Sequence, residues 1–134
     1  MAPLYRLADR LRFQRHGDIG RRGEDLAHRY LRKNGFVVTA RNWRPPHAGG
    51  EIDLIVWDRS EPDADRLVFV EVKARAAVDG SAPERAVDQE KIRALRRAAR
   101  DYLRRSDADP ATARFDVLTV TGTALEHYRD AFSL

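Results

Sequence analysis

The 134-residue sequence contains no cysteine. This absence excludes disulfide bonds and thiolate metal ligands, and it is typical of proteins of the reducing cytoplasm. Histidine is also sparse, because only four are present, far apart at positions 16, 28, 47 and 127. A zinc site built from these side chains is therefore not expected.

Long apolar runs are missing as well. No run approaches the roughly 20 residues that a membrane-spanning helix needs, and residues 1–15 lack the continuous apolar segment of a secretory signal. We therefore expect a cytoplasmic protein with no membrane partner. Lysine is scarce too, since 22 of the 25 basic side chains are arginine. The formal net charge of +4 favours anionic partners, nucleic acid first among them.

What is present indicates one folded domain, with 43% apolar and 34% charged residues. Residues 1–16 are interpreted as a basic amphipathic extension and residues 17–134 as the domain. Helices are predicted over 17–34 and from a capping box at 81–84 to about 105, and strands over 36–42, 50–58, 66–75, 115–120 and 125–132. This order predicts an α/β fold in which helices flank a mixed sheet. The wholly apolar run 67–70 predicts a central strand covered on both faces.

Charged residues interrupt two of these apolar strands. Asp53 lies in one, and Glu71 and Lys73 share a face of the other because strand side chains alternate. Two carboxylates, with the Val72 carbonyl, would offer Mg²⁺ the oxygen ligands it prefers. Lys73 could orient or help to deprotonate a water that attacks a phosphodiester. The alternative is a salt-bridged cluster of Glu71 with Lys73 or Arg75 on an exposed edge strand, and spacing alone does not choose between them.

An Asp, a gap and then Glu-x-Lys on apolar strands resembles the PD-(D/E)xK nuclease superfamily. Other segments accompany it in order, namely Gly20-Arg21-Arg22-Gly23-Glu24-Asp25-Leu26-Ala27, Asn42-Trp43-Arg44, Gly50-Glu51-Ile52-Asp53-Leu54-Ile55, Phe69-Val70-Glu71-Val72-Lys73-Ala74-Arg75 and Arg114-Phe115-Asp116-Val117. Together they resemble the small bacterial YraN family, also called UPF0102, over about residues 17–132. That family is similar in fold to archaeal Holliday junction resolvases. The resemblance implies a restriction-endonuclease-like αβββαβ core.

The resemblance also implies roles for individual residues. Asp53 and Glu71 become metal ligands, with the Val72 carbonyl, and Lys73 becomes the catalytic amine. Glu24, on the first helix, becomes a further catalytic acid that completes the metal site or positions its water. An acid early in a helix is also favoured by the helix dipole alone.

Several residues are candidates for contact with nucleic acid. The resemblance implies a phosphate contact from Gln89 or Lys91, while Arg75 and Arg44 are placed by their position beside the active strands. The long helix adds a run of basic side chains that either contact phosphates or form a solvated face, namely Arg93, Arg96, Arg97, Arg100 and Arg104. The loop between the two charged strands is long and could impede a close approach of DNA on that side or simply point away, since it is acidic at Asp58, Glu61, Asp63 and Asp65.

These expectations combine into a Mg²⁺- or Mn²⁺-dependent endonuclease acting on DNA, with branched or damaged DNA as candidate substrates. Symmetric cleavage of a junction needs two active sites, so a resolvase-like role implies a homodimer. Two alternatives stay open. One is a nucleic-acid-binding module that keeps the nuclease fold with little or no cleavage, and the other is a protein-interaction scaffold.

Overall fold

The structure is a computed structural model, and it describes residues 20–47, 49–62, 64–75 and 89–134, except the side chain of Arg75. The predicted extension at 1–16 and the capping box at 81–84 lie outside the described residues.

A five-stranded mixed sheet forms the centre of the fold, with strands in the order β1-β2-β3-β4-β5. Its elements follow the chain as α1 (20–33), β1 (Phe36–Trp43), β2 (Ile52–Asp58), β3 (Arg66–Arg75), α2 (Gln89–Ser106), a 3₁₀ turn (Pro110–Thr112), β4 (Arg114–Thr121) and β5 (Ala124–Phe132). Strands β3 and β4 run parallel, and the other neighbours run antiparallel. This confirms the predicted α/β fold and the order of the αβββαβ core, to which β5 is added. Among the described residues, no helix is long and apolar enough to span a membrane.

Each helix covers one face of the sheet, because side chains of β2, β3 and β4 alternate between two apolar cores. One core joins Ala27 and Leu31 of α1 to the sheet, and the other joins α2 through residues such as Leu95 and Leu103. Phe69, in the middle of β3, is fully buried. The prediction of a central strand covered on both faces is therefore confirmed for 67–70.

A buried network of charges closes the α1 face. Arg114 donates to Asp58 at 2.9 Å and to Asp116 at 2.8 Å, and His127 donates to Asp116 at 2.7 Å. Tyr30 of α1 bonds to the other ring nitrogen of His127 at 2.9 Å. Asp58 is thus buried, and the interpretation of this residue as part of an acidic surface connection was wrong. Asp58 can be buried because its charge is paired with Arg114, which lies 56 residues away in the chain.

Burial alone would raise the pKa of Asp116, but hydrogen bonds from His127, Arg114 and the backbone of Asp130 outweigh burial and lower it. The pKa of Asp58 is lowered in the same way, because hydrogen bonds from Ser60 and Arg114 outweigh its burial. Both acids therefore carry stable charges, and the network is a structural one.

A close approach at Gly50 fixes the entry of β2 against α2. Gly50 has a φ of +104°, and a Cβ built there would lie 2.9 Å from the backbone oxygen of Ala94. Only glycine meets both conditions without strain. The contact holds the loop before Asp53 against the middle of the second helix.

We expect Gly50→Ala to destabilise the protein by at least about 1 kcal/mol, because it adds a steric overlap to an unfavourable φ. Gly49→Ala is the matched control, since a Cβ at Gly49 meets nothing within 4 Å. Urea unfolding of both variants measures the difference. Equal stabilities would show that the Gly50 contact does not constrain the fold.

Candidate active site

The site lies where β2 and β3 part. Their ladder ends at the pair Leu54 and Val70, while β3 continues beside β4 as far as Arg75. Beyond that pair, the Asp53 side chain takes the place of a backbone acceptor, since its Oδ2 accepts a hydrogen bond from the Val72 N–H at 2.8 Å. Asp53 is thereby fixed beside the Glu-x-Lys segment, as the spacing suggested.

Glu71 is the buried carboxylate of the site, with a side chain only 3% exposed. Its Oε1 pairs with the Lys91 ammonium at 2.5 Å. Its Oε2 is buried and has no hydrogen-bond partner among the described residues. An unsatisfied buried carboxylate oxygen is costly, and such an atom in a native structure requires an explanation.

The ionised form of Asp53 is also in an unfavourable environment. Burial raises its pKa from 3.8 to about 8, and the negative charges of Glu71 and Glu24 add to the rise. The hydrogen bond from Val72 and the charge of Lys91 act in the opposite direction without cancelling it. At neutral pH the Asp53 carboxyl therefore favours its protonated form.

The other predicted catalytic residues are placed differently. Glu24 lies near enough to influence Asp53, yet its carboxylate faces Arg41 at 3.6 Å. Lys73 lies on β3 with a partly buried side chain and forms no ion pair with a described carboxylate. The residue that pairs with Glu71 is therefore Lys91. The sequence analysis had instead considered Lys73 or Arg75 as the partner of Glu71 and a phosphate contact for Lys91.

The predicted nucleic-acid contacts are dispersed around this centre. Arg44 pairs with Glu51 at 2.9 Å and lines a groove of about 390 Å³ with Gly49 and Gly50. Gln89 is exposed in the first turn of α2. Arg75 ends β3, but its side chain lies outside the described residues.

This arrangement suits a hard divalent cation, although no cluster of three metal-ligating side chains occurs within the described residues. Mg²⁺ commonly uses only one or two carboxylates, with water and phosphate completing its shell. Glu71 offers an unpartnered oxygen, and Asp53 offers a carboxylate held next to it by the Val72 backbone. A cation would supply the positive charge that this pair of acids lacks.

Comparison with known proteins assigns the chain. The model of the uncharacterised protein family UPF0102 matches residues 23–120. The chain belongs to the UPF0102 family. A UPF0102 protein of Solibacter usitatus is 53% identical, covering 96% of this chain and 97% of the relative. UPF0102 proteins of Koribacter versatilis and Ralstonia pickettii are 45% and 43% identical and cover 78% and 86% of this chain. No solved structure matches it.

Membership of UPF0102 confirms the resemblance that the ordered blocks indicated. The matched span contains Asp53, Glu71 and Lys91, and it starts just before Glu24. The family is uncharacterised, so its name assigns no role to these residues.

The raised pKa of Asp53 predicts how stability depends on pH. A carboxyl that titrates near 8 when folded and near 3.8 when unfolded stabilises the fold fully below 3.8, and this contribution is lost as the pH rises through 8. The loss is at most about 1.4 kcal/mol per pH unit. In EDTA, we therefore expect Asp53→Asn to gain stability relative to the wild type between pH 5.5 and 8.5.

Asp58→Asn is the control for this titration, because the pKa of Asp58 is lowered rather than raised and its partners Ser60 and Arg114 do not titrate between pH 5.5 and 8.5. Its stabilising effect is present above the unfolded pKa and is lost only in acid, so this variant should be destabilised equally at pH 5.5 and 8.5. Urea unfolding at several pH values measures both variants. A pH-independent difference between Asp53→Asn and wild type would contradict the assigned pKa.

Proposed function

We propose that this protein is a metal-dependent endonuclease that hydrolyses phosphodiester bonds of DNA. The observation that carries the proposal is the buried, unpartnered Oε2 of Glu71 beside an Asp53 that burial keeps protonated. A carboxyl group whose pKa is raised by burial and by the charge of a neighbouring acid is a candidate for a functional site. Asp116, in the network on the α1 face, differs because its carboxylate accepts several hydrogen bonds, as expected of a structural ion pair.

Each residue then has a defined task. Asp53, Glu71 and the carbonyl of Val72 would hold Mg²⁺ or Mn²⁺, which would neutralise phosphate charge and acidify a bound water. Val72 keeps Asp53 in place through its N–H. Lys73 follows on the same face of β3 and would stabilise negative charge that develops on the phosphate during in-line attack by water. Glu24, whose charge reaches Asp53, would help to orient that water.

Cleavage assays with duplex, flapped and four-way-junction DNA in Mg²⁺ or Mn²⁺ test the proposal. We expect Asp53→Ala to abolish cleavage and Lys73→Ala to lower its rate about 100-fold or more. Asp25→Asn is the control, since Asp25 is an exposed acid that contacts Arg41 from the same helix as Glu24. Cleavage that survives in both site variants would point to a contaminant. Salt-dependent DNA binding without any cleavage would favour a binding module that only keeps the fold.

The Lys91 contact makes a separate prediction. If the ammonium balances Glu71 when metal is absent, Lys91→Met should lower the stability of the metal-free protein by about 1–3 kcal/mol, because a buried charge loses its partner. The same change should tighten Mn²⁺ binding, since a competing positive charge is removed. Unfolding in EDTA and calorimetric titration with Mn²⁺ measure the two effects.

Lys33→Met is the control for Lys91→Met, because Lys33 is an exposed lysine at the end of α1. It should change neither quantity. Weaker Mn²⁺ binding by Lys91→Met would mean that Lys91 supports the metal site instead of competing for it.

A further inference from the structure

A line of arginines follows the outer face of α2. Because an α-helix has 3.6 residues per turn, positions three and four apart lie on one side. Arg93, Arg97, Arg100 and Arg104 have this spacing and are all exposed. The opposite side of the helix is buried against the sheet through Ile92, Leu95, Ala99 and Leu103.

A cleft of about 850 Å³ lies along this arginine face. Arg97, Arg100 and Arg104 line it, together with apolar residues of the following turn and of the C-terminal segment, namely Leu103, Ala108, Pro110 and Leu134. The cleft also receives Asp101, whose carboxylate pairs with Arg104 at 3.4 Å and with Arg105 at 2.7 Å. Asp107 also lines the cleft, so its three arginines face two acids, one of which, Asp101, is already paired.

The remaining arginines of the line are not balanced within the described part of the chain. Arg93, Arg97 and Arg100 form no ion pair with a described residue, and the helical neighbours of Arg97 are Arg93, Arg100 and the acid Asp101. Like charges three or four residues apart on a helix cost about 0.2–0.5 kcal/mol per pair. A solvated face that serves only stability would alternate the two signs. This face carries four arginines against one acid, Asp101, and that excess of positive charge favours a polyanionic partner.

The same helix links this face to the candidate active site. Lys91, in the first turn of α2, contacts Glu71 at 2.5 Å, and Arg93 follows two residues later. From Arg93 to Arg104 the helix rises about 16 Å. One strand of a duplex carries a phosphate about every 3.4 Å of axis, so the line spans about five phosphates.

We propose that the arginine face of α2 binds the phosphate backbone of a DNA duplex arm. This inference rests on the proposed endonuclease function. Guanidinium groups match phosphate oxygens with two parallel hydrogen bonds, and a straight helix presents them at fixed intervals to a regularly charged strand. Contacts of this kind read the backbone and not the base sequence.

Fluorescence anisotropy with a labelled 20-base-pair duplex tests the face directly. Binding is measured in EDTA from 50 to 200 mM KCl, so that cleavage plays no part. Each phosphate contact contributes about 0.9 to the slope of log K against log salt. We expect Arg97→Ala/Arg100→Ala to lower the magnitude of this slope by about two and to weaken binding most at low salt. Arg97→Lys/Arg100→Lys should keep the slope, because the charge is retained.

Arg29→Ala/Arg32→Ala is the matched control, since it removes the same charge from exposed positions of α1 on the opposite face of the sheet. An unchanged slope in this control, with the predicted loss in the α2 variant, supports the proposal. Equal losses in both variants, no loss in the α2 variant, or no salt-dependent binding by the wild type would each overturn it. Displacement of DNA by polyglutamate as readily as by unlabelled DNA would also overturn it, in favour of an acidic protein partner.

The outcome is separable from the proposed function. Cleavage that depends on Asp53 but is unaffected by the α2 variant would contradict DNA binding by the arginine face and support the endonuclease function. Binding that depends on Arg97 and Arg100, with no metal-dependent cleavage of any DNA, would support DNA binding by the arginine face and contradict the endonuclease function.

Discussion

The contact between Glu71 and Lys91 is the interaction on which the organisation of the site depends. A carboxylate in the middle of a buried sheet needs a positive charge, and the nearest one comes from the first turn of α2. This contact joins the first turn of α2 to β3 beside the start of β2, and Gly50 allows the entry loop to meet the helix one turn later. Only one oxygen of Glu71 is satisfied in this way. The fold therefore brings two acids together and leaves them short of positive charge.

The pKa values of Asp116 and Asp53 are shifted in opposite directions. On the α1 face, Asp116 accepts hydrogen bonds from Arg114, His127 and the Asp130 backbone, and its pKa is lowered. In the candidate site, by contrast, the half-buried Asp53 accepts one backbone hydrogen bond, and its pKa is raised. The first arrangement maximises stability, whereas the second sacrifices it. This contrast distinguishes the Arg-Phe-Asp block of β4, whose charges are satisfied, from the proposed site residues Asp53 and Glu71.

Much of this could be read from the sequence, because the signals involved are local. Period-two alternation placed Glu71 and Lys73 on one face, and the apolar run before them identified the central strand. The contacts that were missed join segments far apart in the chain. Lys91 reaches Glu71 across a connection whose length in sequence fixes neither its path nor the phase of the helix that follows. Asp58 finds Arg114 only because β2 and β4 lie on either side of β3. No pattern in one sequence reports such pairings.

Helix α2 explains how a single element can serve both the site and its surroundings. Successive residues are turned by about 100° around a helix, so Lys91 and Arg93 point to nearly opposite sides. The inward side therefore carries the charge that balances Glu71, and the outward side is free to carry arginines that the core does not need. Since the apolar core holds this helix rigidly, the position of the arginines relative to Asp53 is set by packing rather than by a flexible loop. A nucleic acid bound along the arginines would therefore lie on the side of α2 that faces away from the two acids, and the first turn of α2 would be the part of its path nearest to them.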